Sequence, residues 1–366
     1  MPSLNAVFMG TPEIASESLS HIAELEKLNV ISLKSVYTKP PVWNNKKKEF
    51  AASPVNKLAI ERGINVRTPK NLKNNTEEID FLKSLDLDLI IVVAFGIILP
   101  AEILNIPKYG VLNLHPSLLP DLRGPSPIHY AILKRMKFSG VSIMALDSGV
   151  DTGPIIAQQR TDIDKNEYFP DLYKRLSLSG AFLLAEVIKT VSKLKINIHK
   201  CGLPQDSISS GSFSLTKLIE PDELKVDFFF DDPLEIYAKT RAFTEAGGAF
   251  FVFGNKKIKI IEAGLIADEK DKEIKEKCFD NAGEHAIFDY CDYADYPRYS
   301  QENLKNEMNA LPPGIIISAN KSGLLVSTVK KGVYIRLFKL KPEGKNVMNY
   351  IDFINGFRIK QGEECR

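Results

Sequence analysis

The run LIIVVAFGIIL, Leu89–Leu99, restricts the fold of this chain more than any other segment. It carries no polar side chain, yet it is too short to span a bilayer, which takes about 20 residues, and Pro100 closes it. Its first part, within DLIIVVAFG, reads as a central strand covered on both faces, which places it inside a parallel sheet flanked by helices. Its neighbours alternate in the same sense. NAVFMG reads as a strand, and PEIASESLSHIAELEKL as a helix with proline in its first turn. VISLKSVYT is the next strand. SPVNKLAIERG then reads as a helix with Ser53 as N-cap, Pro54 at its first position and Gly63 at its end. INVRTP, DLIIVVAFG and GVLNLHP continue the strands, and TEEIDFLKSL and SPIHYAILKR the helices. This alternation predicts a doubly wound, Rossmann-like α/β domain.

At 366 residues the chain is too long for one ordinary domain. GVSIMALDSG and GPIIAQQRTDI read as two strands joined by a loop around Asp151, and a long amphipathic helix from Tyr168 to Leu194 closes the first domain. We place that domain at 1–195, a Ser- and Gly-rich linker at 196–214, and a second domain at 215–366. In the second domain AFFVFGNKKIKIIEAGLI reads as a hairpin turning at Gly254-Asn255. Three more strands follow between Gly314 and Leu340, with turns near Asn320 and Lys331. Short strands at this spacing predict a small β-barrel of OB-like type. The polar stretch 268–309 reads as an exposed insertion without an assigned role.

Composition excludes little: 44% hydrophobic and 26% charged residues describe a globular protein. A net charge of +2 leaves any nucleic-acid affinity to local clustering. Cys201, Cys278, Cys291 and Cys365 show no CxxC or metal-ligand spacing, so reduced thiols, a cytoplasmic location and no metal are expected. The opening MPSLNAVFMG lacks the basic start and apolar stretch of a signal peptide. No membrane association is expected.

Chemistry concentrates where GVLNLHP ends. Asn113 and His115 alternate with apolar residues and so share one face of the strand, at the carboxyl end where open α/β sheets bind ligands. Asp151 lies in the Gly-rich loop LDSGVDTGP. An amide and an imidazole can stabilise oxygen charge in acyl transfer, and a carboxylate can orient the imidazole and take up a proton. No nucleophile elbow is present, which favours direct transfer over an acyl-enzyme. By spacing alone His115 can equally be structural, and Asp147 and Asp151 can be turn residues. Gly10, in MGTPEIA, reads as a tight strand-to-helix turn; a nicotinamide enzyme would require GxGxxG there.

NLHPSLLPDLRGPSPI, with GVSIMALDSGVDTGPII downstream, resembles the signature of the folate-dependent formyltransferases. The resemblance implies that Asn113, His115 and Asp151 are catalytic. It implies that Ser117, Leu118, Leu119 and Pro120 contact folate, and that Phe95, Ile97, Ile98 and Leu99 wall the pterin pocket. The co-substrate implied is 10-formyltetrahydrofolate. Within the family, the whole chain is similar to the branch whose acceptor is the methionine on initiator tRNA. VFMGTPEIASESL resembles that branch's opening, and YTKPPVWNNKKKEFAASPVNKLA its basic insertion loop. The resemblance implies that Trp43, Lys46, Lys47 and Lys48 meet the single-stranded acceptor end, with Arg123 nearby. SLTKLIEPDELKVDFFFDDPLEIYAKTRAF resembles the start of its C-terminal domain. There Lys330, Lys331, Arg336, Lys339 and Lys341 belong to a basic cluster suited to tRNA phosphates. A monomer is expected. The chain departs from the pattern at Asp121, where a basic residue is usual, in GPSPI for GAAPI, and in its longer 268–309 stretch. Two rival readings stay open: a formyltransferase acting on an amino sugar nucleotide, and a folate- or tRNA-binding protein without catalysis.

Overall fold

The structure, a computed structural model, describes residues 3–45, 48–208, 213–244, 247–267, 312–321 and 323–366. The insertion at 268–309 therefore lies outside the described residues, as do Lys46 and Lys47. The chain divides into two compact units. The first comprises Met1–Ile128, Lys137–Ile163 and Asp171–Lys217; the second comprises His129–Met136, Asp164–Pro170 and Leu218–Arg366.

The strands of the first unit are β1 (Leu4–Gly10), β2 (Ile31–Tyr37), β3 (Val42–Asn44), β4 (Glu49–Ala51), β5 (Val66–Arg67), β6 (Leu89–Val93), β7 (Val111–His115), β8 (Phe138–Ala145) and β9 (Ile155–Asp162). Seven of them form one sheet in the order β5-β2-β1-β6-β7-β8-β9. The pairings from β5 through β7 are parallel, whereas β8 runs antiparallel to both β7 and β9. The sheet is thus mixed rather than wholly parallel; the connection between β8 and β9 holds no crossover helix, and those two strands run antiparallel. The other two strands, β3 and β4, form a hairpin of their own within the segment read as a lysine-rich loop.

Alternation along the central strands loads two separate cores. Ala6 and Phe8 of β1, Leu89, Ile91 and Val93 of β6, and Leu112 and Leu114 of β7 pack on one face. Helices α1 (Glu13–Lys27), α2 (Pro54–Glu61) and α6 (Phe169–Leu194) cover it with Leu19, Val55 and Ile188. Val7 and Met9, Ile90 and Val92, and Val111 pack on the other face, covered by Ile79 and Leu82 of α3 (Thr76–Ser84) and Ile103 of α4 (Ala101–Leu104). Double coverage is what the Leu89–Leu99 run requires. Local signals also act as read. The Ser53 hydroxyl accepts from Asn56 N at 3.0 Å, capping α2, with Pro54 at its first position. Gly10 is needed for closeness: a Cβ there would stand 2.6 Å from Ala15 Cβ and 2.9 Å from the Val93 carbonyl. It is the tight β1–α1 turn expected.

The later elements are α5 (Pro127–Leu133), α7 (Ile198–Cys201), α8 (Pro233–Ala242), β10 (Phe250–Phe253), β11 (Lys256–Ala267), β12 (Ile316–Asn320), β13 (Gly323–Ser327), β14 (Val333–Pro342), β15 (Met348–Asn349) and α9 (Tyr350–Phe357). The second unit holds an antiparallel sheet in the order β10-β11-β14-β13-β12, with β15 added to β14. Its edge strands are bridged by residues 362–366. Gly362 N donates to Ile316 O and Ile316 N to Glu363 O on the β12 side, while Arg366 and Val252 exchange backbone hydrogen bonds on the β10 side. That staple closes the sheet into the small barrel expected of the sequence. Buried Arg336 lies on β14, fully enclosed at 0% exposure. It is therefore corrected as a tRNA contact: a guanidinium with no exposed surface does not meet a phosphate backbone.

Candidate active site

β7 reads VLNLH, and all five residues are buried. Val111 belongs to the core on the α3 face, so alternation puts Asn113 and His115 on that same face, closer to the carboxyl end. Polarity begins where that core stops. Neighbouring β1 and β6 run parallel to β7, so Gly10–Thr11 and the segment after Val93 emerge on the same edge of the sheet. The strand order reverses between β1 and β6, the usual crevice for ligands in such folds.

His115 is 5% exposed and held on two sides. Its Nε2 donates to the Leu122 carbonyl at 2.9 Å, and its Nδ1 stands 3.5 Å from Asp151 Oδ2. Asn113, 7% exposed, has no side-chain hydrogen bond among the described residues, so its amide is available to a ligand. The Asp151 carboxylate also accepts from Gly124 N at 2.9 Å. The two aspartates of the Gly-rich loop divide their work. Asp147 Oδ1 accepts from Gly149 N at 3.0 Å and from Thr152 Oγ1 at 2.8 Å, so it shapes the turn. Asp151 faces the imidazole.

The SLLP loop is fixed from the sheet beside it. Lateral register places Ser142 of β8 opposite His115, and Gln158 of β9 opposite Ser142. The Ser142 hydroxyl donates to Ser117 O at 2.7 Å and accepts from Leu119 N at 3.0 Å. Gln158 Nε2 donates to Leu119 O and to Ser142 Oγ, both at 2.8 Å. Ser117 closes the loop by donating to Asp121 O at 2.7 Å. Asp121 thus contributes its backbone, while its residue is exposed. Sequence reasoning missed Ser142 and Gln158. The signal was available as polar residues at the positions of β8 and β9 that register beside His115.

The other expected site residues fall in several settings. Phe95 and Leu99 join the core on the α3 face, Ile97 is partly buried against it, and Ile98 is 89% exposed. Leu119 packs with Met144 and Ile155, Leu118 is half-buried, and Pro120 follows a cis peptide bond. Arg123 is a correction. It is 8% exposed, its Nε donates to Gln205 Oε1 at 2.8 Å, and its guanidinium lies 4.4 Å from the Phe213 ring centre. A side chain so engaged inside the first unit is not a tRNA contact. Trp43 and Lys48 are exposed on the β3–β4 hairpin, where Trp43 packs edge-to-face on Phe50 at 5.2 Å. On the second unit Lys331, Lys339 and Lys341 are exposed and Lys330 is half-buried; Lys339 also pairs with Glu262 at 2.7 Å. Among the described residues no group of His, Cys, Asp and Glu could hold a metal ion. No described helix is long and apolar enough to cross a membrane.

Comparison with known proteins places this geometry in context. Residues 5–188 match the family model "Formyl transferase", and residues 218–358 match "Formyl transferase, C-terminal domain". A methionyl-tRNA formyltransferase of Caldicellulosiruptor saccharolyticus is 32% identical over 360 residues, covering 98% of this chain and 99% of that protein. Among solved structures, an N-formyltransferase from Helicobacter canadensis in complex with folinic acid and dTDP-3-aminofucose aligns with a TM-score of 0.56. It is 20% identical and covers 92% of this chain and 98% of its own. HypX from Aquifex aeolicus in complex with tetrahydrofolic acid aligns at 0.57 and 15% identity, over 99% of this chain and 48% of that one. At such identities the two structures speak to the fold alone.

Proposed function

The chain belongs to the formyl transferase family, and from that premise we propose that it transfers a formyl group to the α-amine of methionine carried on initiator tRNA, for translation initiation. The formyl donor is folate-derived, and 10-formyltetrahydrofolate is the form proposed. The observation that carries the reading is one juxtaposition. A buried strand end offers a free amide, Asn113, beside an imidazole whose Nδ1 faces a carboxylate, and a folded loop is pinned next to them. The acceptor is assigned from the full-length relatives, which are methionyl-tRNA formyltransferases.

In this reading the donor enters between the segment after β6 and the SLLP loop. The neutral α-amine attacks the formyl carbon, a new C–N bond forms, and the bond from that carbon to the folate nitrogen breaks. Asn113 and His115 stabilise the oxygen charge that develops during attack. Asp151 orients the imidazole and receives the amine proton, which passes on to the departing folate nitrogen. Exposed Lys48 and Trp43, with Lys46 and Lys47, meet the acceptor end of the tRNA. Lys330, Lys331, Lys339 and Lys341 meet its backbone. The reading includes a cytoplasmic, monomeric enzyme.

Incubation with 10-formyltetrahydrofolate and charged initiator tRNA is expected to yield formyl-methionine. Formylation of an amino sugar nucleotide in place of Met-tRNA would overturn the acceptor, and absence of any formyl transfer would overturn the activity. Asn113→Ala, His115→Ala and Asp151→Ala are each expected to fold and to lose about two to three orders of magnitude in kcat. Near wild-type turnover in any one removes that residue's role.

A further inference from the structure

We propose that Gln205 is a positioning residue for Asp151, an inference that rests on the catalytic reading of Asp151 given above. Gln205 lies in the segment read as an interdomain linker, yet it is only 3% exposed. Every polar atom of its side chain is engaged. Nε2 donates to Asp151 O at 2.9 Å and to Gly153 O at 2.7 Å, and Oε1 accepts from Arg123 Nε at 2.8 Å. The two carbonyls bracket Thr152, so a single amide grips both sides of the loop's last turn.

The circuit closes on itself. Arg123 O accepts from Thr216 N at 2.8 Å and from Thr216 Oγ1 at 3.0 Å, which fixes the backbone at Arg123–Gly124. Gly124 N then donates to Asp151 Oδ2 at 2.9 Å. Gln205 therefore holds Asp151 twice: directly at its main chain, and through Arg123 and Gly124 at its carboxylate. Gln205 is itself anchored, because Leu203 and Ile155 exchange backbone hydrogen bonds of 2.8 and 2.9 Å just before it.

Asp151 needs such a grip. Its φ is +51°, the left-handed region that a non-glycine residue occupies only where its surroundings over-determine it. The loop before it, through Gly149 and Val150, is exposed. On the other side a Cβ at Gly153 would collide with the Ala145 carbonyl, so the chain passes close against β8 with no side chain of its own to lock it. With the Gln205 amide gone, two carbonyls lose their donor and the backbone at Asp151 relaxes. The carboxylate then leaves its place beside His115 Nδ1, at present 3.5 Å away. A misplacement of about 1 Å at a reacting group can cost on the order of a hundredfold in rate.

The test is a double-mutant cycle on the full chain, with Met-tRNA and 10-formyltetrahydrofolate as substrates. Gln205→Ala and Gln205→Met, the second keeping the side-chain volume, are expected to lower kcat on the order of a hundredfold while KM for both substrates stays close to wild type. Added to Asp151→Ala, either change is expected to lower kcat no further, because its effect runs through Asp151. Wild-type kcat in both Gln205 variants overturns the proposal. Losses that multiply in the double variants overturn it too, since Gln205 would then act elsewhere. Failure of both variants to fold, by circular dichroism at the assay temperature, also overturns it, by making Gln205 a requirement of the fold. Near wild-type activity in Asp151→Ala alone would instead remove the catalytic reading on which the proposal stands.

Discussion

His115 presents both ring nitrogens to groups that accept. A carbonyl oxygen has no proton to give, so Nε2–H must be the donor to Leu122. Nδ1 then faces Asp151 at 3.5 Å, long for a hydrogen bond. Held between that carbonyl and that carboxylate, the ring keeps one orientation at the end of β7. A second histidine shows the opposite economy. His129 stacks on Phe169 at 4.1 Å, its Nε2 has no hydrogen-bond partner, and burial pushes its pKa down from 6.5 to about 4. Between those values the unfolded chain binds a proton that the folded chain refuses, so stability falls as pH drops through the window. The full effect is roughly 3 kcal/mol. In urea denaturation from pH 7 to pH 4.5, wild type should lose stability relative to His129→Gln; a constant gap between them would count against this. At this scale Asn113, His115 and Asp151 were legible as residue types. The different uses of Asp147 and Asp151 were not, because identical carboxylates in one loop are told apart only by what surrounds them.

Elements were legible wherever local chemistry and hydrophobic period agreed. The Ser53 cap and the Gly254-Asn255 turn formed where read, and the strand read in DLIIVVAFG formed over Leu89–Val93. The β3–β4 hairpin was missed because three-residue strands carry too short an alternation, and the intervening lysines read as loop. It sets aromatic and basic side chains side by side on the surface. Trp43 and Phe50 pair across the strands and remain exposed, and Lys48 sits at the turn with φ of +52°. A platform of aromatic and positive groups suits a single-stranded end. Replacing Lys46, Lys47 and Lys48 by Ala should raise KM for Met-tRNA and make log KM less steep against log salt by roughly two units. Folate KM should not move. An unchanged salt slope would transfer the acceptor to a small molecule that does not need the lysines.

For the whole molecule, closure of the second unit depends on residues 362–366, which supply partners to both edge strands. Edge strands left bare invite pairing with other chains. Removal of 362–366 is therefore expected to lower the unfolding temperature of the protein and promote association, followed by light scattering during a thermal melt. A variant that melts and scatters like wild type would show that β10 and β12 need no bridge. The same long-range logic explains why Arg336 could not be placed from sequence. It belongs to a basic cluster when counted along the chain, yet β14 is buried on both faces from Val333 to Phe338 and exposes its basic side chains only from Lys339 onward.

Sequence alone determined the class of the first domain, the barrel that follows, and the residue types that meet at the end of β7. Periodicity, caps and turns are local, and they survive without knowledge of what lies opposite. The tertiary structure decided which way charged side chains face, and which distant groups finish the site. Arg123 and Arg336 went inward, Ser142 and Gln158 came in by lateral register, and Gln205 reached Asp151 from 54 residues away. Arg123, Ser142, Gln158 and Gln205 are held by hydrogen bonds between segments remote in sequence, and only the folded chain brings those donors and acceptors within reach.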